Sequence, residues 1–393
     1  MGAQRIPDPT TAGDFCRRFD AASLEALQRA INVTRVRVWR TQPPAFFDEA
    51  ILEADGTLAP TTGACKEGMD IAYNGTWGYH PLLVSLANTA EPLFVVNRAG
   101  NRPSAEGATA RFGQAIGLCR TAGFRRVTLR GDTDFMQTTE LDRWDQDGVR
   151  FVFGYDARAN VVRLADTLPA AAWTPLERPP AYTVQTTPRQ RPTNVKEAVI
   201  VERAFKNLRL QGEAVAEFPY QPTAGARSYR MVVLRKHISV EQGDQRLFDE
   251  IRYFFYLTND HTTPVSEIVF LANDRCNQEN LIDQLKHGVR AMALPTDTLL
   301  SNGAYMVMAA LAWTLKAWFA LRLPVTPRWA ARHTAEREAV LRMEFRAFLQ
   351  AFLLIPAQVI RTSRRIVFRL LAWNPWQTVL LRGVDHLRQP LRC

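Results

Sequence analysis

The chain has 393 residues, 47% of them hydrophobic and 22% charged, which excludes a disordered or low-complexity protein and allows two or three domains. Lysine and arginine number 49 against 39 acids, a formal charge of +10 that points to a polyanionic partner, nucleic acid or anionic membrane. The five cysteines, Cys16, Cys65, Cys119, Cys276 and Cys393, are scattered with no Cys-x-x-Cys and no nearby His pair, so neither a zinc motif nor a disulfide framework is indicated.

Residues 1–48 open with a Pro- and Thr-rich entry and continue as a helical pattern through Phe15, Phe19, Leu24, Leu27 and Ile31. Residues 1–20 carry acids, prolines and arginines where a signal peptide needs an apolar core. Residues 49–102 read as three successive strands of one sheet: the first over 49–56, the second around the IAYN segment, the third EPLFVVNRAGN. In the first, Ala50, Leu52 and Ala54 alternate with Ile51, Glu53 and Asp55, so the strand delivers the Asp55 carboxylate where the chain turns at Gly56. Glu53 shares the Asp55 face. From Pro103, Ala108, Phe112, Ile116 and Cys119 mark a helix ended by Gly123, and a strand through Val127 and Leu129 leads to two acids, Asp132 and Asp134. A short helix over 139–144 precedes the strand VRFVFGYD.

Residues 168–192 are rich in Pro and Thr and mark a linker or domain edge. Residues 195–260 are strand-like throughout, AVIVERAF included, with Arg227, Arg230, Arg235, Lys236 and Arg252 as basic positions. In NDRCNQENLIDQLKHG, Leu281, Ile282, Leu285 and Val289 fall at helical spacing and Glu279 sits in the first turns. Arg275 lies four residues before Glu279 and Lys286 seven after it, so in a continuous helix the three share nearly one face. Residues 299–323 read as a pair of core helices. Within them the apolar run 304–323 is broken by Lys316 and Arg322, which favours a buried helix over a membrane span. The tail from Arg328 reads as helical and basic, with Arg361, Arg364 and Arg365 as a compact cluster suited to phosphate.

Several blocks in this order resemble the DDE transposases of bacterial insertion sequences, and among them DDE-domain group 1, the insertion-sequence family thirteen-eighty. The blocks are DGT at 55–57, KEGMDIAYNGTWGYHPLL at 66–83, LRGDTDF at 129–135, GVRFVFGYD at 148–156, YFFYLTND at 253–260 and NDRCNQENLIDQLK at 273–286. The resemblance implies a ribonuclease-H-like α/β core, a mixed sheet with flanking helices, over residues 49–165 and 261–325. A β-rich insertion over 166–260 interrupts it, residues 1–48 form a short helical segment ahead of it, and 326–393 form a basic C-terminal region. It also implies Asp55, Asp132 and Glu279 as catalytic metal ligands, with Asp132 preferred over Asp134 because Arg130, Asp132 and Phe135 match the family's Arg-x-Asp-x-x-Phe block. Arg275, Lys286 and Arg130 would contact DNA. Position 272, where the superfamily signature carries Tyr, is Ala here. In the family a longer DNA-binding region precedes the first Asp, so the early Asp55 raises the expectation of an N-terminal truncation.

The implied chemistry is cutting and joining of double-stranded DNA at an element's terminal repeats and in the target, by a homodimer in the cytoplasm, with no membrane partner. Carboxylates are hard oxygen ligands, suited to Mg²⁺ or Mn²⁺, and two such ions serve phosphodiester chemistry. No glycine-rich phosphate loop precedes a helix, so nucleotide hydrolysis is not part of the expectation. The alternatives are a metal nuclease that cuts without joining and a non-catalytic DNA-binding relic.

Overall fold

The computed structural model describes residues 8–63, 65–179, 195–243 and 245–387 and divides into two units, 1–130 with 275–393 and 131–274. In the first unit the entry forms two helices, α1 (Pro9–Cys16) and α2 (Ala21–Trp39). Asp20 separates them. Its side chain accepts from the Ser23 amide while Ser23 reaches back to the Asp20 amide, a reciprocal cap that starts a new helix.

β1 (Glu49–Gly56) follows, then three short strands, β2 (Ala59–Pro60), β3 (Asp70–Ile71) and β4 (Trp77–Tyr79), which form a separate small sheet in the order β2-β4-β3. The main sheet of this unit adds β5 (Leu82–Leu86) and β6 (Glu91–Val96), and after helix α3 (Ala108–Ala122) it gains β7 (Arg126–Gly131). Its order is β6-β5-β1-β7, with β1 antiparallel to β5 and parallel to β7. The expectation for IAYN is corrected: its Ile71 edges the small sheet, and the second strand of the main sheet is LLVSL, all five residues of which are buried. A strand covered on both faces shows a continuous apolar run without alternation. α3 ends, as expected, at Gly123 in the left-handed conformation, φ 112°.

β6 is an edge strand, and α2 closes that edge. Gln28 Oε1 accepts from the Val95 amide at 2.9 Å, Asn32 donates to Leu93 O at 3.4 Å and Arg35 donates to Pro92 O at 2.7 Å. These polar residues are buried because they satisfy backbone groups that an exposed edge would leave to water or to another chain.

The second unit opens with the turn carrying Asp132 and runs through α4 (Leu141–Gln146), β8 (Arg150–Tyr155), α5 (Ala159–Asp166) and β9 (Thr174–Pro175). Residues 180–194 of the expected linker lie outside the described residues. Then come α6 (Val195–Glu202), β10 (Lys206–Tyr220), β11 (Tyr229–Gln242), β12 (Gln245–Thr258) and α7 (Val265–Asn273). The predicted β-rich stretch forms three long antiparallel strands, ordered β8-β12-β11-β10-β9. Its first piece is corrected: residues 195–202 are helical, the β-branched run notwithstanding. α7 packs Ile268 and Val269 against Val152, Val215, Val232 and Leu234, so this unit has its own core.

Back in the first unit, α8 (Cys276–Asp283) passes into a π turn over Gln284–Gly288, and α9 (Leu299–Leu321) follows. The expected helix pair is therefore one 23-residue helix, since nothing in its sequence breaks it and a Thr298–Ser301 box caps its start. α9 is long and apolar enough to cross a bilayer, yet it carries buried Asn302 and Lys316 whose partners all lie in the chain itself. The tail holds α10 (Ala330–Arg342) and α11 (Phe345–Phe348). It is then not helical: β13 (Ala357–Arg361) and β14 (Ile366–Leu370) make a two-stranded hairpin before α12 (Gln377–Leu387). The β-branched and aromatic run Ile366, Val367 and Phe368 favours a strand over a helix.

Lys316 is 1% exposed. Its Nζ donates to Leu341 O at 2.7 Å and Met343 O at 2.8 Å, closing the end of α10, and lies 3.6 Å from the centre of the Trp313 ring. Burial pulls this amine from 10.5 down to about 7. The cost of burying its charge is therefore complete below pH 7 and is relieved as pH rises from there toward 10.5, because the unfolded chain still binds that proton and the folded one does not. Between those limits stability should gain up to about 1.4 kcal/mol per pH unit from this group. Urea unfolding at pH 6.5 and 9 checks it: Lys316→Met should lose this increment relative to wild type, and parallel profiles for the two proteins would refute it.

Candidate active site

Asp55 stands at the end of β1, its side chain 14% exposed. Inside the strand Glu53 occupies the same face two residues earlier, and it is buried. Its register partner on β7 is Arg130, whose Nε donates to Glu53 Oε1 at 2.7 Å while Nη2 lies at 2.6 Å. The two side chains are 3% and 2% exposed. Burial pushes the Glu53 carboxyl up to about 7, against the pull of Arg130 and Arg275, and Asp55 pushes the same way. Arg130 was expected at the DNA surface; it is instead a buried strut between β1 and β7, because a carboxylate placed beside it in register holds the guanidinium inside.

The Asp55–Gly56 corner is tightly enclosed. A Cβ on Gly56 would sit 2.7 Å from His80 Nε2 and 3.3 Å from Ser104, so the DGT turn needs glycine for this approach. His80 is buried, and its Nδ1–H donates to Arg102 O at 2.8 Å. Arg98 holds the same connection, donating to the carbonyls of His80, Pro103, Ser104 and Glu106 at 2.6 to 3.1 Å; burial lowers its guanidinium to about 10. Sequence reasoning missed His80 and Arg98. The GYHP piece of the 66–83 block was the available signal for His80.

Arg275 stands immediately before α8 and its Nη2 lies 3.4 Å from Asp55 Oδ2. Lys286 is half-buried in the π turn; desolvation lowers its amine, while Asp283 and Asp55 favour its charged form. Asp55, Arg275 and Lys286 thus share one electrostatic neighbourhood. Glu279 is exposed on α8. A π turn holds an extra residue relative to α geometry, so Lys286 does not take the position on the helix face that an unbroken α-helix would give it.

Asp132 lies in the second unit, half-buried, with the Asp134 amide donating to its Oδ1 at 3.1 Å. The turn is anchored by fully buried Phe135, and a Cβ on Gly154 of β8 would press on the Thr133 amide at 3.1 Å. Asp134 itself is exposed. Ala272 packs partly buried against the core of that unit. A cleft of about 1240 Å³ opens at the other end of β1, beside Asp48 and Glu49, about 20 Å along the strand from Asp55.

Asp55, Asp132 and Glu279 offer carboxylate oxygens only, and none of them is sealed in the core, a donor chemistry that fits a hard divalent cation. Among the described residues no three His, Cys, Asp or Glu side chains are gathered into one metal-binding group. Asp55 has a guanidinium beside it.

An acid at a strand end thus has two cations from the region of α8 in its surroundings. The family model for the transposase DDE domain group 1 matches residues 8–391, and the chain belongs to that family. No curated protein matches it. Among solved structures the chain is similar to the piggyBac transposase in its cryo-EM synaptic complex with hairpin DNA, at 10% identity and a TM-score of 0.33, covering 76% of this chain and 58% of that one.

Removing Glu53 should be costly, since Glu53→Ala strips the buried Arg130 of its carboxylate. A loss of about 3–5 kcal/mol is expected, with a smaller one for Glu53→Gln, whose amide oxygen still accepts. Urea titration measures it, and a wild-type midpoint for Glu53→Ala would show that the pair is not what ties β1 to β7.

Proposed function

We propose that the chain is a DNA transposase of insertion-sequence type, in the family thirteen-eighty, that cuts the ends of its element and joins them to target DNA. The match of the family over residues 8–391 carries this reading, and the Asp55–Arg275–Lys286 neighbourhood supports it. The core that holds these residues is proposed to be ribonuclease-H-like. The substrates would be the terminal repeats and a target duplex, synapsed by a homodimer in the cytoplasm.

In this reading Asp55, Asp132 and Glu279 hold Mg²⁺ or Mn²⁺. Two such ions, when bound, make water or a 3′-hydroxyl a better nucleophile and ease departure of the 3′ oxygen. Arg275 binds a phosphate near Asp55 with a planar fork of donors, and Lys286 adds a point charge on the same strand of DNA. Arg275 would exchange its carboxylate partner for that phosphate. His80 and Arg98 keep the Asp55 corner rigid, and Phe135 does the same for the Asp132 turn. Glu53, neutralised by Arg130 inside the sheet, takes no part in binding.

Asp55→Asn, Asp132→Asn and Glu279→Gln should each reduce cleavage of labelled element ends in Mg²⁺ to below about one hundredth of wild type, with DNA affinity largely kept. Asp134→Asn should stay active. An inactive Asp134→Asn beside an active Asp132→Asn would transfer the role to Asp134, and undiminished wild-type cleavage in excess chelator would end the metal reading. A strand-transfer assay on the same substrates separates a transposase from a nuclease that only cuts.

Replacing Arg275 or Lys286 by Ala should weaken end binding and lower the slope of log affinity against log salt by about one each. Unchanged slopes with unchanged cleavage would make both residues partners of nearby acids and nothing more.

A further inference from the structure

Among the described residues the hairpin β13–β14 is a two-stranded sheet with no third strand. Its base is fixed to the first unit: the Leu371 amide donates to Pro356 O at 3.0 Å, Asn374 Nδ2 donates to Ala351 O at 2.8 Å, and Trp376 packs on Phe352 at 5.7 Å between rings. Its tip is ordered too. The Thr362 amide donates to Arg365 O at 2.9 Å and the Arg365 amide donates back to Thr362 Oγ1 at 3.1 Å. The turn TSRR therefore presents Arg364 and Arg365 at the apex, with Arg361 at the entry.

Every residue from 361 to 369 is exposed, and none of Arg361, Arg364, Arg365 and Arg369 has an acidic partner among the described residues. Residues 345–384 contain six arginines and not one Asp or Glu. Elsewhere the arginines of this chain are mostly paired, as Arg35, Arg111, Arg178 and Arg230 are. An unneutralised set of guanidinium groups on a projecting turn is complementary to a polyanion and repels a second copy of itself. Shape agrees. Two strands of five residues extend about 16 Å, and the major groove, about 12 Å wide and 8.5 Å deep, admits a two-stranded ribbon. One face of the ribbon pairs Val359 with Phe368 and Arg361 with Ile366, apolar side chains suited to thymine methyl groups between flanking phosphate contacts.

We propose that this hairpin is a DNA-docking ribbon that enters the major groove with Arg361, Arg364 and Arg365 on the phosphates, separate from the strand-end acids. The inference rests on the transposase reading and adds to it a second, non-catalytic contact with the duplex. Such a contact orients the DNA and contributes affinity that is mostly independent of sequence.

The test uses the full chain and a fluorescein-labelled random duplex of about 30 base pairs, three helical turns. The triple change Arg361→Ala, Arg364→Ala, Arg365→Ala should lower the salt slope by about two to three and weaken binding about 10- to 100-fold near physiological salt. The triple Lys version should recover most of that affinity, because a phosphate contact needs charge and not a planar fork. Both proteins should unfold at the wild-type urea midpoint, since the altered side chains are exposed. Wild-type slope and affinity in the triple Ala protein, with wild-type DNA binding intact, would overturn the ribbon and leave the transposase reading standing. A wild-type chain that binds neither this duplex nor element ends would overturn both. Phe368→Ser completes the set: if it converts a wild-type dimer to monomer in sedimentation and leaves DNA binding unchanged, the ribbon docks a second copy and the proposal is wrong.

Discussion

A single buried ion pair, Glu53 with Arg130, fixes where the first acid can stand. Two strands running parallel can slide, and a one-residue slip would turn Asp55 to the other face of β1. With Glu53 and Arg130 opposite each other and both out of water, a slip would leave two charges buried and unpaired, which is far costlier than the loss of a few apolar contacts. The pair thus acts mainly on register. Because side chains alternate with a period of two, fixing Glu53 also fixes Asp55, two residues on and on the same face.

That arrangement divides the cations of the chain by function. Arg130 is consumed inside the sheet, Arg35 inside the helix layer by Glu91, and Arg98 by a set of loop carbonyls. Arg275 and Lys286 are only partly buried and sit where a carboxylate draws them. Among the described residues the hairpin arginines have no such acid. A formal charge of +10 says only that a polyanion is favoured; the partition says which side chains can respond to one.

Much of this was legible beforehand, for physical reasons particular to each element. Strand β1 carries its acid to the turn at Gly56, α3 ends on a glycine that the left-handed conformation requires, and the strands β11 and β12 are dense in β-branched and aromatic residues. The errors have a common cause, which is that local pattern does not report what covers a segment. LLVSL is buried on both faces and so carries no alternation. Residues 195–202 look like a strand by composition and fold as a helix, and IVFRL looks helical only while its hairpin partner is ignored. Arg130 has the residue type of a DNA contact, and only its register partner, 77 positions away in sequence, shows that it is occupied. The π turn after α8 is likewise invisible to a count that assumes 3.6 residues per turn throughout.

The two strand-end acids lie in different units, yet each is held by the same device. Gly56 lets the His80 ring come against the Asp55 corner, and Gly154 lets β8 come against the backbone of Asp132 and Thr133. A side chain at either glycine would press on what lies beside it: the His80 ring and Ser104 in one case, the Asp132–Thr133 segment in the other. The Asp132 turn, with its carboxylate also accepting the Asp134 amide and Phe135 sunk in the core, is therefore held rigidly by its own surroundings. The Asp55 corner is held by the buried His80 ring bonded to the Arg102 carbonyl, by Arg98 on the loop carbonyls and by the cation that α8 provides. At both acids, then, the carboxylate is placed by the close approach that a glycine permits and by the packing around it.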